Sequence, residues 1–121
     1  MANDFKRFTV ADVNTSTGAS ASAVYTVPSS SSTPVESIVI GITLANKSSS
    51  GVTASVFLDN YDGTNDVYIV KDASIPAGSS LEVMSGNKLV LQGDGTTNDA
   101  IRVSASASSS VDATVSVLED V

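Results

Sequence analysis

The chain contains no cysteine and no histidine. Their absence excludes disulfides, thiolate nucleophiles and the usual structural zinc sites, and it removes the side chain most used for acid/base work near neutral pH. Cations are scarce and scattered: Lys6, Arg7, Lys47, Lys71, Lys88 and Arg102 stand against 13 acids, for a net charge of -7. Contact with a phosphate backbone needs clustered cations, so nucleic acid is not expected as a partner. No apolar run reaches the length of a membrane span, and the opening MANDFKRFTVADV lacks the apolar centre of a signal peptide. The expectation is a soluble product made in the cytoplasm, with no membrane partner, that reaches any later location by assembly or cell lysis. Aromatic residues number six, Phe5, Phe8, Tyr25, Phe57, Tyr61 and Tyr68, so the core has to be aliphatic.

What is present is alternation. In SIVIGITLAN the residues Ile38, Ile40, Ile42 and Leu44 fall on one face, and after the turn-like KSSSG the segment VTASVFLD continues with Val52, Ala54, Val56 and Leu58. Local pattern makes the two segments a hairpin with those residues inward. The same period gives short strands at residues 23–27, 66–70, 81–84, 88–91, 101–107 and 111–118, and a weaker one at 5–10. Turn-forming stretches such as SSSSTP, DGTND, IPAGSS and GDGTTND separate them. No segment keeps apolar residues at helical spacing for three turns. At 121 residues the chain supplies one domain, which buries roughly two thirds of the surface its unfolded form exposes. The fold expected is all-β, a single antiparallel β-sandwich of Ig-like or jelly-roll-like type with little or no helix. Residues 1–12 read as an N-terminal arm or edge strand and residues 13–121 as the sandwich. Val103, Ala105, Ala107 and Ala113 share inward faces and make the C-terminal half of the core narrow.

The stretch LDNYDGTNDVYIV is echoed by VLQGDGTTNDAIRV, and both invite a calcium reading. A helix-loop-helix calcium loop needs acids at alternating positions before its glycine and a bidentate Glu six residues after it. Around Gly63 those places hold Leu58, Asn60, Asp62 and Ile69; around Gly95 they hold Val90, Gln92, Asp94 and Ile101. Apolar residues occupy the first and last ligand positions, so both echoes read as tight turns between strands. Asp59, Asp62 and Asp66 are the residues an irregular calcium site would use, and no metal or cofactor is expected. A serine nucleophile has no His to act as base, a Lys47/Ser48 pair lies on a turn, and acids such as Glu82 and Asp112 fall on outward positions. No set of mutually supporting catalytic groups emerges, and the chain is expected not to be an enzyme.

Ahead of the first strong strand stands DFKRF, an aromatic pair flanking the only adjacent cations. Phe5, Lys6, Arg7 and Phe8 are the candidate site, an arm that anchors on a partner; the alternative is that Phe5 and Phe8 close the end of this domain's own core.

The run VYTVPSSSSTPVESIVIGITLANKSSSGVTASVFLDN, then YIVKDASIPAGSSLEVMSGNKLVLQGDG and the ending IRVSASASSSVDATVSVLE, together with the start MANDFKRFT, resembles small virion structural proteins of tailed bacteriophages, marine phages in particular. The similarity is one of style and order, and it covers most of the chain, from about Phe5 to Leu118. The resemblance implies a non-enzymatic β-sandwich building block of the virion. Its preferred place is that of a capsid decoration or cement protein bound to the major capsid protein, such proteins being typically small, acidic, β-rich and homo-oligomeric, often trimeric. A neck, tail or fibre position is the alternative. A carbohydrate-binding or adhesin-like module, with Tyr61 and Tyr68 beside the Asp/Asn-rich loops, is a further one. The SSSSTPVES connection, residues 29–37, is longer than the short turn of related chains.

Overall fold

The computed structural model describes residues 3–30, 32, 34–60, 66–84, 88–93 and 95–120. Among the described residues, alternating segments rich in Val, Ile, Thr and Ser become nine strands: β1 (Asn3–Val10), β2 (Ser22–Thr26), β3 (Glu36–Asn46), β4 (Val52–Asp59), β5 (Val67–Ile75), β6 (Ser80–Glu82), β7 (Leu89–Leu91), β8 (Ala100–Ala105) and β9 (Val111–Asp120). The helical structure among the described residues is one 3-10 turn, Gly18–Ser20. The protein is therefore all-β, as its period-two pattern requires.

All pairings are antiparallel. One sheet runs β1-β9-β3-β6, with β7 also on β3, and the other runs β2-β8-β4-β5. The short strands β7 and β6 lie end to end along β3, opposite Ser37 to Val39 and Thr43 to Ala45 respectively. Counted as one interrupted strand, they bring the total among the described residues to eight, and successive strands then alternate between the sheets, except for the β4-β5 hairpin, in the order of a jelly roll. The expected sandwich is thus of jelly-roll type.

Sequence and structure part at two places in β3. Its first half is inverted: Ser37 and Val39 are buried, Ile38 is half-buried on the outer side, and Ile40 is 42% exposed. The cause is a β-bulge. Val39 pairs with Val117 and Gly41 with Ser116, so Ile40 is an extra residue that shifts the phase of the strand. Beyond the bulge Ile42 and Leu44 point into the core as expected.

The second departure concerns β3 and β4, which do not form a hairpin. They belong to opposite sheets, and residues 47–51 carry the chain across the sandwich. A strand with one buried face alternates identically whether its successor pairs beside it or packs across the core, so period two cannot separate the cases. The crossing is held by buried Asn46, whose Nδ2 donates to Ser50 O (2.8 Å) and Ile75 O (2.9 Å) while its Oδ1 accepts from Ser48 N (3.0 Å).

The DGTND echoes divide in the same way. The first joins β4 to β5, which pair as a hairpin with Leu58 opposite Val67. The second leaves β7 in one sheet and enters β8 in the other, so it is an intersheet connection rather than a hairpin turn. It is braced locally by a Gly93–Asn98 bridge and by Asp99, which gives N–H to Gln92 O and accepts Gln92 N–H, with Gly95 at φ 90°. Between the sheets lie Val39, Ile42, Leu44, Val56, Ile101, Val103, Val115 and Val117, an aliphatic core in which Ala105 and Ala113 are also buried within this one chain.

Asn46→Ala leaves two carbonyls of the sheet crossing without their donor. The expected loss is about 1–3 kcal/mol, the cost of unsatisfied buried polar groups, read as a lower urea midpoint with unchanged slope.

Candidate functional site

The four candidate residues lie in β1, which pairs with β9 along its whole length: Phe5 with Leu118, Lys6 with Val117, Arg7 with Ser116 and Phe8 with Val115. Val115 and Val117 face the core, so alternation sends Lys6 and Phe8 inward and Phe5 and Arg7 outward. The structure does not keep the four together as one surface. It makes two sites of them, one on each side of the sheet.

The inner site is a polar knot in an aliphatic surround. The Phe8 ring packs on Tyr25 of β2, with centroids 4.6 Å apart and planes tilted by 41°. The Tyr25 hydroxyl donates to Glu119 Oε2 at 2.5 Å and lies 2.6 Å from Ser37 Oγ. Glu119, only 1% exposed, has its other oxygen 2.9 Å from Lys6 Nζ, a charge contact skewed from good hydrogen-bond alignment. Four strands from both sheets, β1, β9, β3 and β2, meet here. Burial, and then the hydrogen bond to the Glu119 carboxylate, push the Tyr25 phenol well above its ordinary range, while the carboxylate raises the Lys6 ammonium. A neutral phenol, a carboxylate and a half-exposed cation brace the corner.

The sequence held a signal for part of this knot. Val111, Ala113, Val115 and Val117 mark an inward row, and Glu119 is its next member; Ser37 is likewise in phase with Val39.

The outer site is apolar. Phe5 pairs with Leu118, Leu118 with Ile38, and Ile38 with Val90, forming one row across β1, β9, β3 and β7. Phe5 is 78% exposed and Val90 49%, with Ile38 and Leu118 half-buried between them and the bulged Ile40 alongside. Arg7 and Glu36, on neighbouring outward positions, border the row. Strand β1 is the last of its sheet, so among the described residues one side of its backbone has no partner strand.

The remaining loop residues are placed differently. Asp62 and Tyr61 lie outside the described residues, as does Asp94. Asp59 Oδ2 is 2.9 Å from Arg102 Nε, and the Asp66 carboxyl is raised by desolvation and by the charge of Asp59. Among the described residues no group of three or more acids is placed to hold a metal ion. Lys47 Nζ contacts Asp112 (2.8 Å) and Asp12, so its ammonium is engaged away from Ser48, whose hydroxyl is bound to Asn46 Oδ1 at 2.7 Å. Tyr68 lies on the outer side of the second sheet, against Phe57, with centroids 5.4 Å apart.

No protein-family model matches the chain, and no curated protein does. Among solved structures, a chain from the structure of infectious bursal disease virus, Gx strain, is similar with a TM-score of 0.41 and 14% identity, over 98% of this chain and 31% of that one. The protein thus spans under a third of that chain's length.

A phenol whose folded-state pKa is raised contributes stability that is complete below about pH 10, its unfolded value, and is lost as pH rises through the folded value. In an ultraviolet alkaline titration, one of the three tyrosines is expected to ionise only as the protein unfolds. Tyr25→Phe removes that late component and lowers stability by about 1.5–3 kcal/mol, the range for a hydrogen bond to a charged group.

Proposed function

We propose that the chain is a non-enzymatic structural protein of a bacteriophage particle, a capsid decoration protein that docks through the outer side of the β1-β9-β3-β7 sheet. The observation that carries this reading is the apolar row Phe5–Leu118–Ile38–Val90. Contiguous exposed apolar patches on small proteins mark surfaces that are covered in use. Burying a Phe side chain is worth about 1.5–3 kcal/mol, and unlike a surface ion pair that gain is not screened by salt. A particle that has to persist in salty, dilute surroundings is served by such contacts. The free edge of β1 adds backbone pairing, either with a capsid protein or with another copy in a homo-oligomer such as a trimer. The sequence resemblance to small phage virion proteins supports the same reading, and the jelly roll is an architecture found in viral capsid domains among others.

Quantitative mass spectrometry of purified particles tests the proposal. Near-stoichiometric abundance relative to the major capsid protein is the expected result for a lattice-wide decoration protein. A handful of copies moves the chain to the neck, tail or fibres, and absence from the particle overturns a virion role. Phe5→Ser, at an exposed position where the isolated domain keeps its melting temperature, is expected to lower occupancy on the particle by about tenfold or more.

A further inference from the structure

A second surface lies on the opposite side of the sandwich. A cleft of about 230 Å³ opens on the outer side of the β2-β8-β4-β5 sheet, lined by Thr15, Thr53, Tyr68, Lys71, Asp72 and Ser104 among others. A register shift shapes it. Ala54 pairs with Ala73 and Val56 with Val70, so Lys71 and Asp72 together stand opposite Ser55. Bulges of this kind re-aim side chains.

Asp72 adopts φ 52°, a left-handed conformation that glycine takes without strain. Asp72 N donates to the Oγ of Ser55 (2.9 Å), and the same Oγ lies 3.5 Å from its Oδ1. This left-handed backbone sets the exposed Asp72 side chain at the cleft, and outliers of this kind gather at binding sites. Beside it Lys71 Nζ lies over the Tyr68 ring, 5.3 Å from the centroid. That exposed contact is weak, so the ammonium is free to swing to a ligand oxygen.

We infer that this cleft binds a neutral pyranose ring. The lining decides the class. A phosphate would meet Asp72 beside the single ammonium, and a metal ion would meet Lys71 beside the single carboxylate. An apolar ligand would strand the hydroxyls of Thr15, Thr53 and Ser104. A ring bearing several hydroxyls satisfies all of them: carboxylate and ammonium serve as acceptor and donor, the hydroxyls as both, and Tyr68 offers an apolar surface to C–H groups. The volume falls below the roughly 300–1,000 Å³ of clefts for drug-sized ligands, which limits the site to one ring, free or at the end of a glycan.

The test is titration of the ¹⁵N-labelled chain, followed by NMR, with methyl glycosides of glucose, galactose and mannose and with maltose, lactose and mannobiose. Each is taken to about tenfold above a millimolar Kd. Saturable shifts confined to residues 15–17, 53–55, 68–72 and 104–106 are expected with at least one sugar. Binding of the matching disaccharide with the same shifts identifies a glycan terminus, and binding of the monosaccharide alone a free sugar. Asp72→Asn is the diagnostic variant, because Asn tolerates the left-handed backbone; it is expected to weaken binding tenfold or more with no change in melting temperature. No shifts in these segments with any of the six sugars overturns the inference. So do equal shifts with glycerol, or unchanged affinity in Asp72→Asn. The measurement uses the free chain, so its outcome is independent of the particle experiment.

Discussion

The extra residue at Ile40 is the constraint on which the rest of the molecule turns. Strand β3 is the axis of its sheet, paired with β9 on one side and with β7 and β6 on the other. A straight β3 would point either Ile38 and Ile40 or Val39 into the core along its first half, and the choice would follow from Ile42 and Leu44 in its second half. The bulge decouples the halves. It lets Val39 join Val115 and Val117 inside, turns Ile38 out into the row with Leu118, Phe5 and Val90, and leaves Ile40 exposed. The apolar outer face therefore arises from the bulge as much as from composition.

The same inversion places Ser37, not Ile38, inside, and this is what lets a polar knot exist there. Ser37, Tyr25 and Glu119 converge at a corner where an isolated carboxylate would be costly to bury. The phenol and the Lys6 ammonium compensate it. Because each partner comes from a different strand, the knot fixes register at the sheet edge, where β1 pairs with β9. An aliphatic corner would pack β1 and β2 together but would not distinguish one register from another two residues away. A buried anion with matched partners does.

Much of this was legible in the sequence, and the illegible part has a common cause. Period two located nearly every strand and named most of the core, since Val103, Val111, Val115 and Val117 have one buried face whatever their neighbours are. It could not say which strand lies beside which. KSSSG between β3 and β4 and GDGTTND between β7 and β8 carry the turn chemistry of hairpins, yet both cross between sheets. Turn residues report a reversal of direction, not the plane in which it occurs. The bulge was hidden for a related reason: Ile38, Val39, Ile40 and Ile42 are all apolar, so a slip of phase among them leaves no polar residue out of place. In the candidate site, adjacency in sequence suggested one arm of Phe5, Lys6, Arg7 and Phe8. Strand geometry separates neighbours to opposite faces, and Lys6 answers to Glu119, 113 positions along the chain.

The two faces of the sandwich are consequently unlike in a way that bears on orientation. The outer side of the β1 sheet carries an apolar row across four strands that ends on an edge strand; the outer side of the β5 sheet carries hydroxyls, Lys71, Asp72 and a half-exposed Tyr68 around a cleft. Apolar surface is stabilised by being covered, whereas a polar cleft can take a ligand only if it stays open to solvent. A chain docked through the first face necessarily turns the second away from its support, because the core separates the two sheets. Docking and ligand capture then do not compete for residues, and a substitution at Phe5 and one at Asp72 should act independently.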